Sequence, residues 1–266
     1  MEIFNRKTFM QEKIFIRNKI NFKDHSQDLH LGDAIVILNL IYNRYLITNN
    51  TIEVYGPNIV YQLMNIFKYE GLNYKGENKS GLEMNYKIKD FIIGFEEFKS
   101  EFLNAKFCHV TEENIKINKF ELPKYRSKTI KEKNNILFQF DNRTFHTPGK
   151  ELLLPSEVKK ILLQFNEDGK VFGIGGEDTN KYLNDFEFKI GNLHFICCEL
   201  NNCKLFVGTD SGISHLAGTL GINSFIINTH TIEPHLTEIN KLYNLMYEKT
   251  IIKSKKEIFK KCKLHI

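Results

Sequence analysis

The apolar stretch 205–208 runs into Thr209, Asp210, Ser211, Gly212, Ile213, Ser214 and His215, which open a helical pattern that ends near Gly221. A strand followed by such a turn leaves the first N–H groups of the helix without partners, and these groups favour a phosphate together with the helix dipole. Asp210 or Ser211 suits the capping position, Gly212 lets another group approach the backbone, and Ile213 supplies a further exposed N–H. His215 lies one turn beyond Ser211, so it can face the same ligand and donate to a phosphate oxygen. The plainer reading of the same residues is a capped strand–turn–helix with a packed histidine.

A second start of this kind is His30-Leu-Gly-Asp-Ala34. Gly32 and Asp33 begin another helical run. Asp33 reads either as a first-turn charge or as a general base within reach of an acceptor hydroxyl.

The elements that would position these residues alternate between β-rich and helical runs. Strands are expected over 13–17, 51–56, 86–95 and 106–110, with helices over 33–46, 58–67 and 96–103. Residues 18–31 read as a long loop. The stretch 111–135 is polar and Lys-rich and contains Pro123, so it reads as a connection. Beyond it, strands are expected over 136–140, 170–175, 205–208 and 224–228. Helices are expected over 155–165, 178–185, 194–201 and 211–220, and one over 235–247 closes the pattern. Such alternation implies parallel sheets. Ligands of open α/β sheets bind beyond the carboxyl ends of the strands. That points to the loops after Arg17, Phe140, Gly175 and Gly208.

The two helix starts together resemble glycosyltransferase family 9, the lipopolysaccharide heptosyltransferases. That family has a Gly-Asp helix start near its N-terminus and a D-[S/T]-G-x-x-H-x-A-x-x-L-G segment in its second half. This chain has Gly32-Asp33 and Asp210-Ser-Gly-Ile-Ser-His-Leu-Ala-Gly-Thr-Leu-Gly221. The resemblance implies an α/β fold of GT-B type, two Rossmann-like domains facing a central cleft. Residues 1–120 would be the acceptor-side domain and residues 121–266 the nucleotide-sugar-binding domain. It further implies a metal-independent, inverting glycosyltransferase with a nucleotide-sugar donor and no resident cofactor. Asp33 matches the catalytic aspartate, and Asp210, Ser211, Gly212, Ile213 and His215 match the donor-phosphate segment. In the loop after Phe140, Arg143, Thr144 and Lys150 are candidates for the donor phosphates. Gly176 and Glu177 resemble a Gly-Gly…Glu region that would meet the donor ribose. Each of these also reads as an ordinary solvated loop or helix-start residue.

Composition sets the outer bounds. The 266 residues are 42% apolar and 26% charged, enough for one large domain or two small ones. No run of about 18 apolar residues is present, so no membrane-spanning helix is expected. The first residues lack the apolar core of a signal peptide, and the protein is expected in the cytoplasm. The formal charge of +5 suits an anionic acceptor. A glycan is the acceptor implied by resemblance, and a hydroxymethylated base in viral DNA is the alternative. A non-catalytic nucleotide-sugar-binding module would need the 210–215 segment but not Asp33. A dehydrogenase is disfavoured, because no G-x-G-x-x-G follows the first strand. The five cysteines form no paired C-x-x-C spacing and read as small buried apolar residues.

Overall fold

The computed structural model describes residues 12–16, 19–21, 26–28, 30–77, 90–93, 120–126, 134–140, 150–151, 153–165, 169–177, 183 and 185–262. The expected strand over 106–110 and helix over 96–103 lie outside these residues, as does most of the expected helix over 178–185.

Two parallel sheets organise the chain. The first contains β1 (Glu12–Ile16), β4 (Ile52–Tyr55), β6 (Leu72–Gly76) and β7 (Asp90–Ile93), in the order β6-β4-β1-β7. The second contains β9 (Asn135–Gln139), β10 (Val171–Gly175), β11 (Phe188–Ile190), β12 (Cys203–Thr209), β13 (Ser224–Asn228) and β14 (Thr250–Ser254). Its order is β11-β10-β9-β12-β13-β14, and every pairing is parallel. Counted within the sheet, that is 3-2-1-4-5-6, the Rossmann order. The strand order therefore reverses between β9 and β12, where such sheets place their ligand.

A parallel sheet must be covered on both faces, and alternate residues of the central strands show this. Leu137, Phe206 and Ile226 belong to one core cluster. Their chain neighbours Phe138, Val207 and Ile227 belong to another. The first face carries α4 (Leu193–Asn201), α5 (Gly212–Thr219) and α6 (Glu233–Met246) through Ile196, Leu200, Leu216, Ala217, Tyr243 and Met246. The opposite face carries α3 (Pro155–Leu163) and α7 (Lys255–Cys262) through Val158, Ile161, Leu162, Ile258 and Phe259.

The helix α1 (Leu31–Thr48) follows β1 and returns the chain to β4, so its first turn lies at the carboxyl end of the first sheet. Every residue from Ala34 to Arg44 is buried. A helix apolar nearly all round must be packed all round, and α1 is packed against both α2 (Asn58–Ile66) and α5. One core cluster accordingly runs from Val54 and Leu63 through Ile35 and Leu38 to Leu216 and Tyr243.

The structure departs from the sequence expectations at several short elements. The segment 18–31 is not wholly loop: β2 (Lys19–Asn21) and β3 (Ser26–Asp28) pair antiparallel within it. The stretch after residue 111 contains β8 (Lys124–Tyr125), which pairs with β5 (Phe67–Lys68). The helix α6 does not close the chain, because β14 and α7 follow it. Cys197 and Cys203 are buried, and burial pushes the Cys197 thiol up to about 12. Among the described residues, no helix is long and apolar enough to cross a membrane.

Candidate active site at the meeting of two helix N-termini

The strand β12 ends at Thr209, and α5 starts three residues later. Ser211 is the residue that caps it. Its Oγ accepts from the Ser214 N–H at 3.3 Å, and the Ser214 hydroxyl accepts from the Ser211 N–H at 2.8 Å, a reciprocal capping box. Ser211 also donates to Gln139 Oε1 at 2.8 Å, which ties the ends of β9 and β12 together at the reversal of strand order. At its other end α5 closes in a Schellman turn. Gly221 has φ +66°, its N–H reaches the Gly218 carbonyl, and the Ile222 N–H reaches the Ala217 carbonyl.

Asp210 is therefore free of capping and gathers other partners. The Tyr243 hydroxyl donates to its Oδ1 at 3.0 Å. His215 Nε2 lies 3.5 Å from Oδ1, Lys150 Nζ 3.7 Å from Oδ2 and His230 Nε2 3.9 Å from Oδ2. Burial opposes the charge on Asp210. The His215 hydrogen bond, the Lys150 charge and the Tyr243 hydroxyl outweigh burial and hold the carboxyl well below the usual carboxylate range.

His215 is buried at 6% exposure. Its Nδ1 is 3.0 Å from the Tyr247 hydroxyl, and its ring stacks on Tyr243 at 4.8 Å. Its Nε2 is turned to Asp210, and the ring lies beneath the turn.

Gly212 has a structural reason to lack a side chain. A Cβ there would lie 2.8 Å from Leu31 Cβ and 3.1 Å from the Gly32 backbone nitrogen. A Cβ on Gly32 would in turn lie 3.2 Å from His215 Cδ2 and 3.5 Å from Gly212 Cα. The two glycines let the first turns of α1 and α5 abut. Seven residues further along both helices, Asn39 Nδ2 donates to Thr219 Oγ1 at 2.9 Å. Seven residues are about two helical turns, so α1 and α5 run side by side in the same direction. Their positive ends converge on one spot.

Asp33 stands at that spot, in the first turn of α1. Burial raises its pKa above the ordinary carboxylate value. His215 and His30 oppose the rise, the His30 backbone opposes it further, and Asp210 adds to it. Two carboxylates thus sit at one place with pKa values pushed in opposite directions. Asp210 is fixed in its charged form, and Asp33 is made the better proton acceptor.

Of the residues expected from sequence, Asp33, Asp210, Ser211, Gly212, His215 and Lys150 are brought together here. Lys150 arrives because it bridges His230 beyond β13, with the Glu151 N–H on the Thr229 carbonyl. Ile213 packs its side chain into the core. Gly176 and Glu177 follow β10, one strand removed from the β9–β12 reversal, and Glu177 is exposed. Arg143 and Thr144 lie outside the described residues. Gln139, His230, Tyr243 and Tyr247 were not anticipated. The spacing of Tyr243 and Tyr247, one turn apart on α6, was the available signal for two of them.

No family model matches the chain, and no curated protein does. Solved structures do share its fold. The glycosyl transferase family 9 protein of Veillonella parvula is 13% identical with a TM-score of 0.53, over 96% of this chain and 91% of that one. The E. coli heptosyltransferase WaaC, solved with ADP, is 11% identical with a TM-score of 0.53, over 92% and 93%. The dodecameric iron-containing glycosyltransferase TibC from enterotoxigenic E. coli is 13% identical with a TM-score of 0.50, and the chain spans 57% of its length. The similarity lies in tertiary structure: this chain has the α/β, two-sheet, GT-B type fold of these glycosyltransferases.

Proposed function

We propose that the protein is an inverting glycosyltransferase that moves a sugar from a nucleotide-diphosphate donor to the hydroxyl of a glycan. The observation that carries this reading is the placement of Asp33, on the helix of the first sheet, against Asp210 and His215 on the turn of the second. A base and an anion-binding turn at one spot are what displacement of a diphosphate requires.

In this reading residues 121–266 hold the donor, with its phosphates at the α5 N-terminus between Ser211 and Lys150. The acceptor lies on the side of residues 1–120. The acceptor oxygen attacks the anomeric carbon, its proton passes to the Asp33 carboxylate, and the bond from that carbon to the diphosphate oxygen breaks. The helix dipoles and Lys150 meet the charge that develops on the leaving diphosphate. No metal ion is invoked.

The test is turnover of a panel of nucleotide sugars by the purified protein, with Asp33→Ala as control and EDTA in a parallel series. Turnover that resists EDTA and is lost in Asp33→Ala with donor binding retained supports the reading. Neither binding nor turnover with any donor would overturn it.

A further inference from the structure

One carboxylate gathers the basic groups of the site, and it is aimed from α6. Asp210 is faced by His215 on α5, by Tyr243 on α6, and by Lys150 and His230, which bridge each other beyond β13. Asp33 on α1 adds a like charge. Tyr243 makes the shortest of these contacts, 3.0 Å to Oδ1, against 3.5 Å for His215, 3.7 Å for Lys150 and 3.9 Å for His230. A carboxylate only accepts, so the phenol is the donor. With Oδ1 held by Tyr243, the planar group presents Oδ2 to Lys150 and His230.

The phenol is itself held on several sides. Its oxygen lies 2.5 Å from Ser214 Oγ, the partner of Ser211 in the capping box of α5. Its ring stacks on His215 at 4.8 Å and stands edge-on to Tyr247 at 5.5 Å, and Tyr243 is fully buried. A ring so enclosed has one place to put its hydroxyl. Three residues earlier on α6, Asn240 Oδ1 accepts from Asn228 Nδ2 at 3.0 Å, and Asn228 Oδ1 accepts from the His230 N–H at 3.1 Å. The Glu151 N–H on the Thr229 carbonyl ties Lys150 into the same frame. The helix α6 thus fixes the carboxylate through Tyr243 and the segment bearing the basic groups through Asn240.

We propose that Tyr243 is a positioning residue of the donor site: its hydroxyl aims Asp210 at Lys150 and so sets where that ammonium meets the donor diphosphate. Being fully buried, it acts through Asp210 and not on the donor itself. The consequence for binding rests on the donor-site reading above. The placement of Asp210 and Lys150 by Tyr243 does not.

The experiment compares full-length wild type with Tyr243→Phe, which keeps the ring and loses the hydroxyl, and with 3-fluorotyrosine placed at position 243, which keeps both. In protein labelled with ¹³C at aspartate and lysine, the Asp210 Cγ and Lys150 Cε signals at pH 7 are assigned with Asp210→Asn and Lys150→Met. Both are expected to move in Tyr243→Phe and to stay close to wild type with 3-fluorotyrosine. The affinity for whichever of ADP, GDP and UDP the wild type binds best is expected to drop about tenfold in Tyr243→Phe, the worth of one hydrogen bond to a charged group. It is expected to be retained with 3-fluorotyrosine. In a Lys150→Met background, Tyr243→Phe is expected to cost no further affinity. Asp210 and Lys150 signals unmoved in Tyr243→Phe overturn the proposal, as does an equal loss of affinity in both backgrounds. Lys150→Met in the 3-fluorotyrosine protein probes the same link with the hydroxyl in place: the ¹⁹F signal is expected to move, and an unmoved signal overturns the link. Wild-type protein that binds none of the three nucleotides overturns the donor-site reading instead, and the spectra still decide whether Tyr243 places Asp210 and Lys150.

Discussion

Gly32 and Gly212 touch across the two halves of the fold, with Leu31 filling the space a Gly212 side chain would need. The contact brings the first turns of α1 and α5 to one point and sets Asp33 beside the Asp210–His215 pair. Asn39 and Thr219 hold the same two helices in register two turns along. The placement of the proposed base relative to the proposed phosphate site thus depends on residues that contribute no reactive group.

Gly212→Ala would put its Cβ 2.8 Å from Leu31 Cβ. Overpacking of this kind costs about 1–3 kcal/mol, and the better helix propensity of alanine offsets up to about 1 kcal/mol of it. The expected outcome is a net loss of about 1–2 kcal/mol by thermal or urea denaturation. Gly32→Ala meets only the edge of a side chain, at 3.2 Å, and is expected to lose less. Equal stability of Gly212→Ala and wild type would count against the close approach.

Asp33 opposes folding at neutral pH. Its pKa in the folded state is raised above 3.8. It therefore favours the folded state below that value and loses the contribution as pH rises through the folded pKa. Asp33→Asn keeps the shape without the charge. The variant is expected to melt higher than wild type at pH 7, with the advantage shrinking toward pH 4. Its turnover is expected to fall by about 10²–10⁴, the usual range for removing a general base. Melting curves at the two pH values and a turnover assay check both halves.

Asp210 has the opposite sign. Its folded pKa lies below the ordinary 3.8, so its contribution is present above 3.8 and is lost as pH falls through the lower folded value. Asp210→Asn is expected to cost about 3 kcal/mol at pH 7, because Lys150 would lose its buried counter-charge. The gap to wild type is expected to be flat above about pH 5 and to narrow in acid. Denaturant midpoints measured from pH 7 down to pH 3 would show it.

Ser211 serves two elements, as the cap of α5 and as the donor to Gln139. Ser211→Ala is expected to cost about 1–2 kcal/mol. A double-mutant cycle with Gln139→Ala is expected to show a coupling of about 1 kcal/mol. Additive effects in that cycle would show that the bond across the β9–β12 reversal is not contributing.

Much of the architecture was legible without coordinates. The central strands read clearly because residues such as Ile136, Leu137 and Phe138 are apolar on both faces, as a doubly covered sheet requires. Within the two main sheets the strands that escaped, β6, β11 and β14, are all edges, and the remaining unanticipated strands form the two-stranded pairs β2–β3 and β5–β8. An edge strand is short and only partly buried, so Leu72-Asn-Tyr-Lys-Gly76 carries too thin an apolar pattern to stand out. The helix α1 declared itself by being apolar nearly all round, which is the mark of a helix packed on every side.

By itself, the sequence determined the strand–turn–helix around Ser211, its Gly221 ending and the second helix start at Gly32-Asp33. These are local events, set by capping, by backbone freedom and by periodicity. Only the tertiary structure decided what these residues face. Gly212 read as room for a ligand and Gly32 as part of a helix start, and the structure sets each against the other's helix. His215 read as a residue that faces a ligand, and its ring lies buried between Asp210 and Tyr247. Such assignments depend on which helix ends meet, and that is fixed by the packing of α1 against α5, where residues 180 positions apart come into hydrogen-bond contact.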